Sequence, residues 1–120
     1  MNNARLNVTS KSLWAPKWFL AGLISVLVSP AMADQTMIDL AQQKACLGCH
    51  QVDKKRVGPG FKQISERYAG QVEAAPHLVE VILKGGRGNW GAIPMPAQTR
   101  VSPEQAQQLA QWILTLSPPK

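Results

Sequence analysis

Residues 46–50 read Cys-Leu-Gly-Cys-His, two thiols a helical turn apart with an imidazole directly after the second, which is the spacing of a c-type haem attachment site. Each thiol can add across one vinyl group of a porphyrin, and His50 is then held beneath the iron as its proximal ligand. Two thioethers and one Fe–N bond fix the group permanently, so the rest of the chain must be read around it.

The motif holds both cysteines of the chain. A thiol oxidoreductase would place Cys-x-x-Cys in a βαβ context, and no alternation of strand and helix is visible. A structural zinc site needs four ligands; beyond Cys46, Cys49 and His50 only His77 remains, with no second clustered pair. A disulfide across two intervening residues closes too small a loop to stabilise much.

Covalent haem attachment is expected outside the cytoplasm, and the N-terminus supplies an export signal. Arg5, Lys11 and Lys17 form a positive stretch without an acid, Trp18 to Val28 is an apolar run of 11 residues, and Ala31-Met32-Ala33 fits a small-residue cleavage site. Residues 1–33 therefore read as a cleaved secretory signal peptide. The run is too short to span a bilayer comfortably, so no stable membrane anchor is expected.

Removing 33 of the 120 residues leaves 87, numbers 34–120, enough for one small domain. That part keeps 10 of the 13 Lys and Arg and all 7 acids, a net charge of +3 in place of +6. So modest a charge gives nucleic-acid binding no support.

Helical periodicity dominates residues 34–120. Asp34 or Thr36 can cap a first helix with Met37, Leu40, Ala41 and Lys44 on one side, leading into the cysteine motif. Val57-Gly58-Pro59-Gly60 marks a loop, and a short helix fits Phe61 to Tyr68. A third fits Pro76 to Lys84, ended by Gly85-Gly86. No strand pattern competes, and Gly85 to Thr99 reads as a loop. The last helix has Ser102 as N-cap, Pro103 first and Gln105 third, with Ala106, Leu109, Ala110, Ile113 and Leu116 in its apolar stripe. Trp112 beside that stripe is expected to pack on the first helix.

A haem held by His50 alone keeps its sixth position open. The candidate second ligands are Met37, Met95 and His77. Met37 reads as a core residue of the first helix and His77 as a surface histidine. Met95 stands between Pro94 and Pro96, whose rings restrict φ and remove two N–H donors, so this loop can enter an apolar cleft with fewer amides to satisfy. Met95 is the expected distal ligand. A thioether opposite an imidazole favours Fe(II) and raises the reduction potential.

Cys46-Leu47-Gly48-Cys49-His50, Val57-Gly58-Pro59, the run Gly88-Asn89-Trp90-Gly91-Ala92-Ile93-Pro94-Met95-Pro96 and Trp112-Ile113-Leu114 together resemble the small class I bacterial cytochromes c. The likeness covers nearly all of residues 34–120 and points to the short periplasmic type that donates electrons to a haem-containing nitrite reductase or to terminal oxidases. It implies an all-α fold of four to five short helices around one covalent haem c. It also implies that the Pro59 carbonyl accepts the imidazole N–H of His50, that Trp90 donates its indole N–H to a haem propionate, and that Phe61 packs near the haem. The bland alternative for Trp90 is plain packing.

The sequence departs from the family in places. Val81 stands where relatives can place an arginine near a propionate, and Arg87 is the candidate substitute. Gln98 replaces an asparagine expected to contact the methionine sulfur, the second proline common after the methionine is missing, and one extra residue lies between Met95 and the final helix.

The function expected is a diffusible periplasmic one-electron carrier, not an enzyme, shuttling between respiratory partners such as a quinol-oxidising complex and a nitrite reductase or terminal oxidase. Lys54, Lys55, Arg56 and Lys62 form a candidate docking surface, with Val57, Ala92 and Ile93 making a drier contact at the haem edge. Such encounters are small and transient. A monomer is expected, with a weak dimer left open. The competing reading is a small haem enzyme or gas-binding protein with a labile distal ligand, which would require a distal acid–base pair; none is visible in sequence near Met95. A subunit permanently assembled with a larger complex is the third.

Overall fold

The computed structural model describes residues 30–118, as four α-helices, one 3-10 turn and one short hairpin. Most of the expected leader, residues 1–29, lies outside the described residues. Among the described residues no helix is long and apolar enough to cross a membrane.

Helix α1 (Pro30–Gln43) begins upstream of the expected cap at Asp34 or Thr36. Ala31-Met32-Ala33 are good helix formers that extend the helix backwards. Both candidate caps are engaged otherwise. The Thr36 hydroxyl donates to the Met32 carbonyl at 2.8 Å, and Asp34 Oδ1 accepts the Trp112 indole N–H at 3.0 Å. Trp112 thereby reaches the first helix, as its position beside the apolar stripe predicts.

Helix α2 (Phe61–Tyr68) has the predicted bounds. Gln63 Oε1 accepts from the Gly60 N–H at 2.9 Å, which occupies one of the unpaired donors at the helix start. Helix α3 (Ala74–Lys84) starts two residues earlier than predicted, because Pro76 is tolerated within a first turn where no N–H partner is needed. Helix α4 (Pro103–Thr115) follows the predicted cap: Ser102 Oγ accepts from Gln105 N at 3.2 Å, and Gln105 Oε1 accepts from Ser102 N at 3.1 Å. Its buried stripe of Ala106, Leu109, Ala110, Trp112 and Ile113 meets Phe61 and Ile64 of α2 and Leu78 and Ile82 of α3 in one core. Ser65 is buried too; its hydroxyl donates to the Leu114 carbonyl at 3.0 Å and accepts from the Ser117 N–H at 3.1 Å, tying α2 to the end of α4.

The segment read as a loop contains strands. β1 (Gly86–Gly88) pairs antiparallel with β2 (Gly91–Met95), Gly86 opposite Met95 and Gly88 opposite Gly91. The pairing involves backbone alone, with β2 exposed up to Ile93 and Pro94 and only Met95 half-buried. A strand with no buried face has no apolar alternation to betray it, which is why the hairpin is invisible in the sequence pattern.

Candidate functional site

The five-residue motif sits where α1 ends. Cys46–Gly48 form the 3-10 turn, entered through Ala45 at φ 61, and the following segment folds back on the motif, with Val57 N and Gly58 N both donating to the Cys49 carbonyl at 3.1 and 2.8 Å. Phe61 N and Lys62 N donate to Gln51 and Val52, so the start of α2 is fastened to the same stretch. His50 is thus fixed from several sides and only 8% exposed.

Its ring is oriented by three neighbours. The Phe61 ring stacks on it at 5.4 Å and 17°. Gly58 lies flush against the other atoms: a Cβ there would stand 2.6 Å from His50 Cε1 and 2.9 Å from Nδ1, so no larger residue fits without moving the imidazole. Nδ1 lies 2.8 Å from the Pro59 carbonyl oxygen. A carbonyl only accepts, so Nδ1 carries the hydrogen, and in the neutral ring Nε2 is the nitrogen with a free lone pair. This is the tautomer that binds a metal through Nε2. Among the described residues no buried side-chain nitrogen or oxygen lacks a partner; Nε2 makes no hydrogen bond and is therefore accessible, and His50 lines a cavity of about 430 Å³.

That cavity also takes in Cys46, Cys49, Pro59, Trp90 and Met95, so the six residues expected to hold the cofactor line one space, while Met37 packs against the core as expected. Cys46 is half-buried and Cys49 exposed, and the two are not joined to each other by a disulfide. Burial pushes the Cys46 thiol up, a backbone hydrogen bond works against this, and the neighbouring Cys49 adds to it. The apolar part of the lining includes Ile64, Leu78, Ile82, Leu109 and Ile113. An apolar cleft of this size with two thiols and one directed imidazole nitrogen at its border fits a planar aromatic macrocycle bound through sulfur and iron.

Met95 reaches the cavity because the hairpin is anchored at its base. Gln98 N donates to the Ile82 carbonyl at 3.0 Å. Gly85 ends α3 at φ 82, and a Cβ there would fall 2.6 Å from the Met95 carbonyl oxygen and 3.0 Å from Ala97 N. The sequence marks Gly85 only as a helix stop; its closest constraint is tertiary. Gly85→Ala combines a disfavoured left-handed backbone with a clash against main chain and is expected to destabilise by about 2–4 kcal/mol. Thermal unfolding should show the loss as a lower midpoint; an unchanged midpoint would mean that the loop adapts freely.

Other positions differ from expectation or have no sequence signal. His77 is half-buried rather than a surface histidine, lines the cavity, and its Nε2 is hydrogen bonded to the Tyr68 hydroxyl at 3.1 Å. Tyr68 itself carries no sequence signal beyond closing α2. Gln98 Nε2 donates to the Pro96 carbonyl at 2.8 Å. Val81 and Arg87 both line the cavity. Trp90, 37% exposed, lies under the Arg67 guanidinium, whose carbon is 4.5 Å from the ring centroid. Lys54, Lys55 and Arg56 are exposed, whereas Lys62 is paired with Asp53 at 2.5 Å.

Residues 39–117 match the family model for cytochrome c. The chain is 49% identical over 78 residues to cytochrome c-551 of Pseudomonas denitrificans, covering 65% of this chain and 94% of that one. It is 42% identical over 106 residues to cytochrome c-552 of Nitrosomonas europaea, covering 88% of this chain and 98% of the relative. The crystal structure of wild-type Nitrosomonas europaea cytochrome c552 superposes with a TM-score of 0.65 at 48% identity, over 67% of this chain and 99% of the other. A class 1 cytochrome from Sideroxydans lithotrophicus is similar at TM-score 0.57 and 28% identity, over 74% and 98%.

Proposed function

The chain belongs to the cytochrome c family, with the class I fold, and on that premise we propose that it is a periplasmic one-electron carrier whose iron lies between His50 and Met95. It is a haem-based electron carrier with haem c attached covalently through Cys46 and Cys49. When bound, the haem supplies an Fe(III)/Fe(II) couple that takes up and releases one electron.

The observation that carries the ligand assignment is the pairing of a directed His50 Nε2 with Met95 at the same apolar cavity. Pro59 fixes the His50 tautomer and ring plane, which keeps Nε2 aimed and raises its basicity as a ligand. Gly58 and Phe61 hold the ring from its faces. Met95 supplies a thioether that favours the reduced state. With His50 and Met95 both committed to holding the iron, exogenous molecules would be kept from the metal, and one-electron exchange at the exposed edge of the cavity would be the chemistry left.

That edge has the composition of a transient docking site. Val57 is 46% and Ile93 68% exposed, both line the cavity, and so do Lys55, Arg56 and Arg87. Lys62 contributes less than the sequence suggests, since Asp53 neutralises it. The partner surface is accordingly acidic around an apolar centre, and association should weaken as salt rises. A binding constant unchanged between low and physiological salt would remove the electrostatic part of this reading. A quinol-oxidising complex as donor and a nitrite reductase or terminal oxidase as acceptor suit a carrier of this kind, and the leader read at residues 1–33 supports a periplasmic location.

The deciding experiment is the visible spectrum of the ferric and ferrous protein before and after denaturing extraction. Haem that stays with the polypeptide, together with the far-red sulfur-to-iron band in the ferric state, is the expected result. Covalent haem without that band would reject Met95 as ligand.

A further inference from the structure

We propose that Arg67 is a positioning residue, a latch that pins the tip of the β1–β2 hairpin to α2 and so keeps Met95 at the cavity. This rests on the reading of Met95 as the distal ligand. The hairpin has no core of its own: its residues from Arg87 to Pro94 are exposed, and its position depends on what holds it at base and tip. The base is fastened to α3 through Gln98 and Gly85.

At the tip Arg67 makes two contacts. One guanidinium nitrogen donates to the Asn89 carbonyl, and the guanidinium carbon stands over the Trp90 ring, 4.5 Å from its centroid, closer than the 6.0 Å that separates it from the Tyr68 centroid. Neither observed ion pair, Lys62–Asp53 or Lys84–Glu80, involves Arg67, so among the described residues no carboxylate competes for its fork. The helix that carries it is fastened at this end, with Ile64 and Ser65 buried one turn or less before it and Ser65 hydrogen bonded to the end of α4. The planar fork can stack on an indole and bond a carbonyl at the same time, which an ammonium does poorly.

Arg67 therefore acts on the iron through the hairpin. Both contacts lie at an exposed site, where water weakens charged interactions well below their buried strength, and together they correspond to a bias of at least about tenfold toward the docked hairpin. In ferric holoprotein, Arg67→Ala is expected to bind cyanide about tenfold faster than the parent, because the hairpin leaves more often and exposes the sixth position. Arg67→Lys should fall between the two. Ser65→Ala is the structural control: it removes two hydrogen bonds that fasten α2 to the end of α4, lowers the melting midpoint, and should leave the cyanide rate at the parental value.

A parental rate in Arg67→Ala, with rapid binding in Met95→Ala, overturns the latch and leaves the ligand assignment standing. Parental rates in both overturn the ligand assignment and the latch with it. Equal acceleration by Ser65→Ala reduces Arg67 to general stability, and an Arg67→Lys rate equal to the parent's overturns the stacked clamp in favour of charge alone.

Discussion

Met95→Ala is expected to keep its haem through denaturation and to bind cyanide in the ferric state at least a hundredfold faster than the parent. Met95 lines the same cavity as His50, whose Nδ1 is taken by Pro59, and with the thioether on the iron an external ligand would enter only while it is away. Where the binding-competent form is about one per cent of the population or less, apparent binding is reduced by that fraction, and deleting the competitor restores it. The reduction potential should fall as well, because the donor that favours Fe(II) is lost. Stopped-flow absorbance measures the first effect and spectroelectrochemistry the second. A variant that binds cyanide no faster than the parent would falsify the assignment.

How well the sequence announces each part depends on how local its cause is. The capping of α4 by Ser102, Pro103 and Gln105 is written in adjacent residues and appears as read. The same holds for α2, and for the cysteine motif, whose chemistry lies within five residues. The pairing of β1 with β2 has no such signature, because nothing on that hairpin is fully buried and only Gly86 and Met95, at its base, are half-buried. Arg67 over Trp90 joins residues 67 and 90 across two elements, and neither residue type marks the contact in advance. Gly85 is legible as a helix end, yet the Met95 carbonyl against it is a tertiary fact. His77 reads as a surface residue because its partner, Tyr68, lies on another helix.

The α1 start illustrates the opposite error. Asp34 and Thr36 are residue types that cap helices, but local preference loses to a longer-range contact: Asp34 accepts the Trp112 indole N–H across the core. Capping is worth about 1 kcal/mol, and a buried indole left without an acceptor costs about as much or more. A residue able to satisfy the indole is therefore held by it, and in the uncleaved chain the helix begins earlier, within the last residues of the expected leader.

Haem-free polypeptide is expected to be largely unfolded. Ile64, Leu78, Ile82, Leu109 and Ile113 line the cavity, and the same five side chains belong to the buried core where α2, α3 and α4 meet. One side of that core is thus completed only by the cofactor. The cofactor supplies the contact atoms on the cavity side of these five side chains, and a domain of 87 residues, whose whole stability is roughly 4–13 kcal/mol, has little to set against their loss. Blocking attachment with Cys46→Ala and Cys49→Ala should therefore abolish most far-ultraviolet helical circular dichroism. A native-like helical spectrum with a cooperative melt from that variant would show that the four helices hold one another without the haem, and that the core is closed by protein alone.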